Sequence, residues 1–302
     1  MRAIFHSSFG GPEVLKVVEL PRPDAGSRQV LLRMRATSVN PVDWKLRSGV
    51  APHHLKNPPY PVGFDVSGTV VEIGTDVDGI RVGDEVFGMV ASRTGTHSDY
   101  VLACPSALVQ RPANVDDVHA AALATAGTTA WQALQLSRIS RGDRVLIHAA
   151  AGGVGHLAVQ LAKTLGAHVV GTARGDNHEF LFELGADELV DYTATDFAAA
   201  IDPVDVVLDL VGGDYGQRSL SVLRPSGRYI ATRDSDARHD PRHQRVHGRP
   251  NAVDLAAIAQ SVRANDVRVH VDVIMPLDRV ADAHTLSEHG RVRGKIALTP
   301  WL

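Results

Sequence analysis

The alternation of apolar and polar positions changes character near residue 118. Up to about Leu108 the chain is rich in β-branched residues, and turn signals such as Gly10-Gly11-Pro12, Asn57-Pro58-Pro59 and Val82-Gly83-Asp84 interrupt it. That pattern predicts a mostly antiparallel sheet domain. From about Val118, helical stretches alternate with short, nearly unbroken apolar runs. Ala120 to Leu136 predicts a helix with Gly127 as a candidate break, and a second helix is expected from about Asn177 to Leu184. Val145 to Ala149, His168 to Thr172, Glu188 to Tyr192, Asp205 to Val211 and Tyr229 to Thr232 read as strands. Strands buried on both faces belong to a parallel, doubly wound sheet. Val267 to Ile274 and Lys295 to Thr299 return to strand-like alternation around a helix at about Val280 to His289. The expected division is a mostly-β domain over 1–117, a parallel-sheet domain over 118–265 and a return to the first domain over 266–302.

Between the first strand and first helix of the parallel part lies Ala149-Ala150-Ala151-Gly152-Gly153-Val154-Gly155, followed by Leu157, Leu161 and Leu165 at helical spacing. A glycine turn brings the backbone close to a pyrophosphate, and the unpaired N–H groups opening the helix attract its charge. Against G-x-G-x-x-G, Ala150 replaces the first glycine, while Gly152 and Gly155 hold the second and third places. Alone, this is equally an ordinary tight turn. The next strand ends at Ala173-Arg174-Gly175, where an NAD site carries Asp or Glu for the ribose hydroxyls. Arginine pairs with a 2′-phosphate that an acid would repel, so the pattern favours NADPH over NADH. The other reading of Arg174 is a solvated loop residue.

With 302 residues, 44% hydrophobic and 22% charged, the chain has the composition of a two-domain globular protein. A net charge of -3 gives no reason to expect nucleic acid. No apolar run approaches the length of a membrane span, and Met1 to Phe5 leads into strand-like sequence rather than a signal peptide. Cys104 is the single cysteine, which excludes an internal disulfide and a cysteine-rich zinc lobe; a cytoplasmic setting is expected.

Six segments in order carry a family resemblance: Asn40-Pro41-Val42-Asp43, Pro61 to Gly68, Gly83 to Gly88, Gly127-Thr128-Thr129-Ala130-Trp131, the glycine turn, and Gly290 to Lys295. Together they resemble the medium-chain dehydrogenase/reductase superfamily, in its zinc-independent quinone oxidoreductase and enone reductase branch. The resemblance implies an α/β fold with a GroES-like mostly-β catalytic domain and a Rossmann doubly wound parallel-sheet domain, NADPH as hydride donor, and a homodimer. Zinc alcohol dehydrogenases of the superfamily hold their metal where this chain has Asn40 and Phe64, neither of which ligates zinc. His239, His243 and His247 would share a helical face, but Pro241 and the surrounding Arg238, Arg242 and Arg245 favour a solvated loop, and no metal is expected.

Without a metal, hydride goes to an acceptor that is already electron-poor: a quinone, or the C=C bond of an α,β-unsaturated carbonyl compound. The enolate or hydroquinone anion that results needs hydrogen-bond donors. The resemblance sets Asn40 beside the nicotinamide and Asp43, Trp44 and Lys45 near the cleft; Lys45 is either a donor to the enolate oxygen or a solvated surface lysine. Related enoyl reductases carry a tyrosine shortly after this segment, where the chain has Ser48-Gly49-Val50-Ala51-Pro52; Tyr60 is the nearest tyrosine, and solvent is the alternative proton source. Cofactor contacts are expected from Ala151, Gly152, Gly153, Val154 and Gly155, from Thr172 and Arg174, from Thr128 near the nicotinamide, from Tyr192 near the adenosine phosphate, and from Leu210 and Val211. Lys295 either lies near the cofactor or faces solvent. The loop from Arg233 to Arg249, with five Arg and three His, is either solvated or meets an acidic carrier. A trans-acting enoyl reductase of a polyketide-type pathway and a catalytically idle NADPH-binding protein are the rival readings.

Overall fold

In the computed structural model, which describes residues 1–50 and 58–302, the N-terminal alternation becomes β1 (Arg2–His6), β2 (Leu15–Glu19), β3 (Val30–Val39), α1 (Pro41–Ser48), β4 (Tyr60–Pro61), β5 (Asp65–Ile73), β6 (Glu85–Met89), β7 (Tyr100–Ala103) and β8 (Leu108–Gln110). A long helix, α2 (Asp117–Ser137), follows. Asn57 of one turn signal, and Ala51 and Pro52 of the segment after Lys45, lie outside the described residues. Gly127 does not break α2. A Cβ there would lie 2.9 Å from Leu123 Cδ1 and 3.5 Å from Ile258 Cγ2, so this glycine permits close packing inside an alanine-rich, largely buried helix.

The parallel part comprises β9 (Arg144–Ile147), α3 (Gly155–Thr164), β10 (His168–Ala173), α4 (His178–Glu183), β11 (Glu188–Asp191), α5 (Phe197–Ala200), β12 (Val204–Asp209), α6 (Tyr215–Val222), β13 (Leu223–Ala231) and β14 (His243–Arg245). The chain ends with α7 (Ala252–Arg263), β15 (Val271–Pro276), α8 (Val280–His289) and β16 (Lys295–Thr299). By contacts the chain divides into two compact units: Met1–Thr128, Pro250–Arg263 and Val269–Leu302 in one, Thr129–Arg249 and Ala264–Arg268 in the other.

In the first unit β2-β1-β4 form a small antiparallel sheet, and a larger sheet runs β15-β16-β3-β5-β6-β8, with β7 also on β3. β16 pairs antiparallel with β3, bringing Ile296 opposite Val39, so the end of the chain completes the sheet that its beginning started. Leu32, Met34, Val66, Val86, Val101, Ile296 and Leu298 are among the residues of the core between.

In the second unit six parallel strands take the order β11-β10-β9-β12-β13-β14, the doubly wound order 3-2-1-4-5-6 when counted from β9. β9 and β12, buried along most of their length, are central, as their unbroken apolar sequence predicts. Two elements depart from the prediction. The histidines at 239, 243 and 247 share no helical face, and the segment is not loop throughout: β14 runs through it, with His243 stacked on Tyr229 at 5.2 Å between ring centroids. α7 goes unpredicted although Leu255, Ile258, Ala259 and Val262, at helical spacing, are its buried face. Among the described residues no helix is long and apolar enough to cross a membrane.

Candidate active site

In the second unit the expected cofactor residues gather where parallel sheets bind ligands, at the carboxyl ends of the strands. The turn from β9 to α3 is tied down from inside: the Ala150 N–H donates to the Thr172 carbonyl at 3.0 Å, and the left-handed residue is Ala149, at φ 50°, rather than Ala150. The two later glycines serve different ends. A Cβ on Gly155 would come within 2.3 Å of the Ala149 oxygen and 2.7 Å of the Ala150 oxygen, so glycine here lets the helix press on the strand. A Cβ on Gly152 would meet only the Ala149 oxygen, at 3.3 Å. Interior packing therefore makes little demand for glycine at 152; its own N–H is taken by the Ala149 carbonyl at 3.0 Å, and its absent side chain leaves space over the turn for a pyrophosphate.

At the end of β10, exposed Arg174 donates from Nε to the Tyr192 hydroxyl at 3.2 Å, which joins two residues selected separately from the sequence. Neighbouring Asp191 is turned away, accepting from the Gly175 N–H at 3.1 Å and from both the N–H and the hydroxyl of Thr193; those Thr193 bonds hold its carboxyl below the usual range. The Asp191 carboxyl, beside Tyr192, is thus spent on backbone and on Thr193. Thr172 is fully buried, with its hydroxyl on His148 Nδ1 at 3.0 Å, while His148 Nε2 meets the Ser219 hydroxyl at 2.9 Å. Burial lowers the His148 pKa to about 4, so the neutral ring joins the ends of β9 and β10 to α6. Half-buried Leu210 and Val211 follow β12, where Asp209 Oδ1 accepts the N–H groups of Val211 and Gly212, both at 2.8 Å.

In the first unit, local sequence builds the head of α1. Asn40 is the N-cap, Pro41 takes the first helical position, and Asp43 Oδ2 accepts the Asn40 N–H at 2.7 Å. The Asn40 side chain is then free for longer-range work. Its Nδ2 donates to Asp65 Oδ2 at 2.7 Å, and its Oδ1 accepts from Lys295 Nζ at 2.5 Å. Lys295 also donates to the Val39 carbonyl at 3.1 Å and lies 3.5 Å from Asp65. Asp65, fully buried, takes a further bond from the Ser38 hydroxyl and, on Oδ1, one from the Thr125 N–H at 2.7 Å. Lys295 is therefore a buried member of an ion-pair network, not a solvent-facing strand lysine. Burial lowers its pKa, with Asp65 opposing the shift.

Burial also raises Asp43 to about 7; the N–H groups of Asn40 and Gly63 and the Lys295 charge oppose the rise, and Asp65 adds to it. Half-buried Lys45 holds its ammonium 5.6 Å from the Trp44 ring centre. The Thr128 hydroxyl is buried with no hydrogen-bond partner. Sequence reasoning missed Asp65 and His148 as organisers. Each is a polar residue set against an apolar strand, and that is the signal that could have drawn attention to them.

A doubly wound parallel sheet with a glycine turn after its first strand and an arginine at the end of its second defines a dinucleotide-binding fold, joined in one chain to a mostly antiparallel unit. Residues 26–113 match the alcohol dehydrogenase GroES-like domain and residues 184–298 the zinc-binding dehydrogenase family. The chloroplast envelope quinone oxidoreductase homolog of Arabidopsis thaliana is 34% identical over 99% of this chain and 98% of its own length. An NADPH-dependent alkenal/one oxidoreductase of the same plant's chloroplast is 31% identical, over 99% of this chain and 80% of its own. The quinone oxidoreductase of Coxiella burnetii superposes with a TM-score of 0.93 at 39% identity, covering 99% of both chains. The chain belongs to the medium-chain dehydrogenase/reductase superfamily, in the branch of the quinone oxidoreductases and alkenal/one reductases.

Proposed function

We propose that this chain is a zinc-independent, NADPH-dependent reductase that transfers hydride to a quinone or to the C=C bond of an α,β-unsaturated carbonyl compound. One observation carries the reading: Arg174, fixed on Tyr192 at the end of β10, in the same unit as a glycine turn that has no side chain over it at Gly152. Bound NADPH supplies the hydride from its nicotinamide ring. Ala151, Gly152, Gly153, Val154 and Gly155 offer backbone to the pyrophosphate, Arg174 takes the 2′-phosphate, Tyr192 packs near it, and Leu210 and Val211 flank the cofactor. Thr172 supports the turn through His148 and Ala150. The same reading assigns Asn40, Asp43 and Lys45 to the reduction step, with Thr128 and Lys295 as cofactor contacts. Asn40 and Phe64, at the zinc-ligand places, support a reaction without zinc. A homodimer at work in the cytoplasm completes the proposal, and light scattering after gel filtration tests its dimeric part.

NADPH oxidation over a panel of quinones and α,β-unsaturated ketones, with products identified by mass, is the direct test. Saturated ketones or hydroquinones support the reading. Silence across the panel rejects it in favour of a dedicated biosynthetic enoyl acceptor or an idle NADPH binder. Arg174→Ala tests the cofactor separately: loss of a charge-assisted pair predicts an affinity for NADPH about 10- to 100-fold weaker, with NADH little changed. An unaltered NADPH preference would remove Arg174 from the site.

A further inference from the structure

Asp209, the last residue of β12, is fully buried, and among the described residues its carboxyl meets hydrogen-bond donors and no cation. Oδ1 takes the N–H groups of Val211 and Gly212, both at 2.8 Å, and Oδ2 takes the hydroxyl of Tyr229 from the neighbouring strand β13. A buried carboxyl without a counter-charge is destabilising, and an apolar residue would close a strand end without that penalty. Its donors show what it does there. Tyr229 is itself fully buried, with its ring stacked on His243 and its N–H on the Arg242 carbonyl at 3.0 Å, so the hydroxyl that holds Asp209 has a fixed seat. Burial, with Asp209 beside it, pushes the phenol above its ordinary value, and the proton stays on Tyr229 to be donated.

The consequence is a fixed turn. A trans peptide points its carbonyl away from its N–H. With the N–H groups of Val211 and Gly212 drawn onto Asp209, the carbonyls of the same two peptides, those of Leu210 and Val211, are turned away from it, and neither accepts a hydrogen bond among the described residues. The turn is secured from β13 as well. The Thr232 N–H donates to the Asp209 carbonyl at 3.0 Å and the Gly213 N–H to the Asp234 carbonyl at 2.9 Å, while Gly212 stands at φ 76°, where a Cβ would come within 2.5 Å of the Asp234 oxygen. Two unengaged acceptors thus stand at the carboxyl end of a central strand, the edge where a doubly wound sheet takes its ligand. Arg174 marks the β10 side of that edge for one half of a dinucleotide, so the other half falls to the β12 side, across β9.

We propose that Asp209 and Tyr229 are positioning residues of the cofactor site: Tyr229 holds Asp209, Asp209 holds the turn, and the turn offers the Leu210 and Val211 carbonyls to hydrogen-bond donors on the nicotinamide half of NADPH. The assignment rests on the NADPH-dependent reading and adds to it a residue pair that acts through the backbone of others.

The test compares Kd values from titration calorimetry for NADPH and for adenosine 2′,5′-bisphosphate, which carries a 2′-phosphate and lacks the nicotinamide half. Tyr229→Phe keeps the ring and removes the hydroxyl. Asp209→Asn keeps an oxygen for the two N–H groups and removes the charge, and it decides the matter should Tyr229→Phe fail to fold. Each variant is expected to bind NADPH about 3- to 10-fold more weakly and the bisphosphate as wild type does. The 3-acetylpyridine analogue of NADPH, which has no carboxamide N–H, separates the two kinds of donor: an effect that vanishes with it assigns the carboxamide, and one that persists assigns the ribose hydroxyls. A merely structural role would move NADPH and the bisphosphate alike or move neither, and either result overturns the assignment while NADPH-dependent reduction stands. Selective weakening of NADPH in a protein that reduces no quinone or enone keeps the assignment and removes the reductase reading. No binding of NADPH by the wild-type protein overturns both.

Discussion

The polar network of the first unit and the cofactor edge of the second solve opposite problems. Asn40, Asp65 and Lys295 are buried, and within the fold their charges have one another and fixed hydrogen bonds as partners. Arg174 and Tyr192 are exposed and joined by one bond, with donors left to face outward. A side chain that is saturated inside the fold acts on stability and alignment; one that is held at the surface acts on a ligand. The difference predicts different failures. Breaking the network should destabilise the protein, whereas breaking the edge should leave a stable protein that has lost its preference for a phosphate.

Asp65→Ala gives the largest expected effect. It leaves the Lys295 ammonium buried without its counter-charge, a loss of about 3–5 kcal/mol that urea unfolding would read. Pairing an apolar residue at 65 with Lys295→Met should recover most of it, because an apolar pair of similar volume needs no compensation. A single variant as stable as wild type would show that the network is incidental.

Acid is the next lever. Burial pushes His97 and His148 down to about 4, and His284, packed at 6.2 Å from His97, well below its ordinary value. Unfolded histidine titrates near 6.5, so between about pH 6.5 and 4 the unfolded chain binds protons that the folded rings refuse, and stability falls as pH falls. Asp43 works in the other direction. Raised to about 7, its folded carboxyl keeps a proton that the unfolded one releases near 4, so its contribution is present at low pH and lost as pH rises through 7. One acid offsets one histidine, and the remaining two predict a loss that steepens from about 1 kcal/mol per pH unit near 6.5 to about 2.7 near pH 5. Equal urea midpoints at pH 7 and pH 5.5 would mean that these rings already carry protons in the fold.

The smallest effect is the sharpest control. Arg174→Ala, exposed and with one side-chain bond to lose, should change unfolding free energy by no more than about 0.5 kcal/mol while NADPH affinity drops. A large stability loss would mean that Arg174 is structural after all and would dissolve the contrast between the two regions.

Particular elements show what could be read in advance. The turn at 149–155 was legible because it is a local device: an apolar run, glycines at set spacing and helical leucines within a few residues. Arg174 was legible because the distance from the glycines to the next strand's end varies little in such folds. β14 was not, since a three-residue edge strand among Arg and His has no apolar period and exists because β13 offers it a ladder. Gly127 misled for the converse reason: as helix propensity it signals a break, and only the packed position of the Leu123 side chain, which a Cβ would meet at 2.9 Å, makes its missing side chain useful.

By itself, then, the sequence determined the local elements, their alternation, the glycine turn and the arginine at the end of β10, because periodicity, capping and glycine conformation act over a few residues. The tertiary structure alone decided the state of the polar groups. Lys295 reaches Asn40 across 255 positions, Asp65 finds the Thr125 N–H across 60, and Tyr60 and Asp43 share the wall of one cavity. Whether a lysine is solvated or buried, or a carboxyl ionised or protonated, depends on which distant strands pair around it. Desolvation and partner charge are properties of that packing, and no stretch of chain carries them alone.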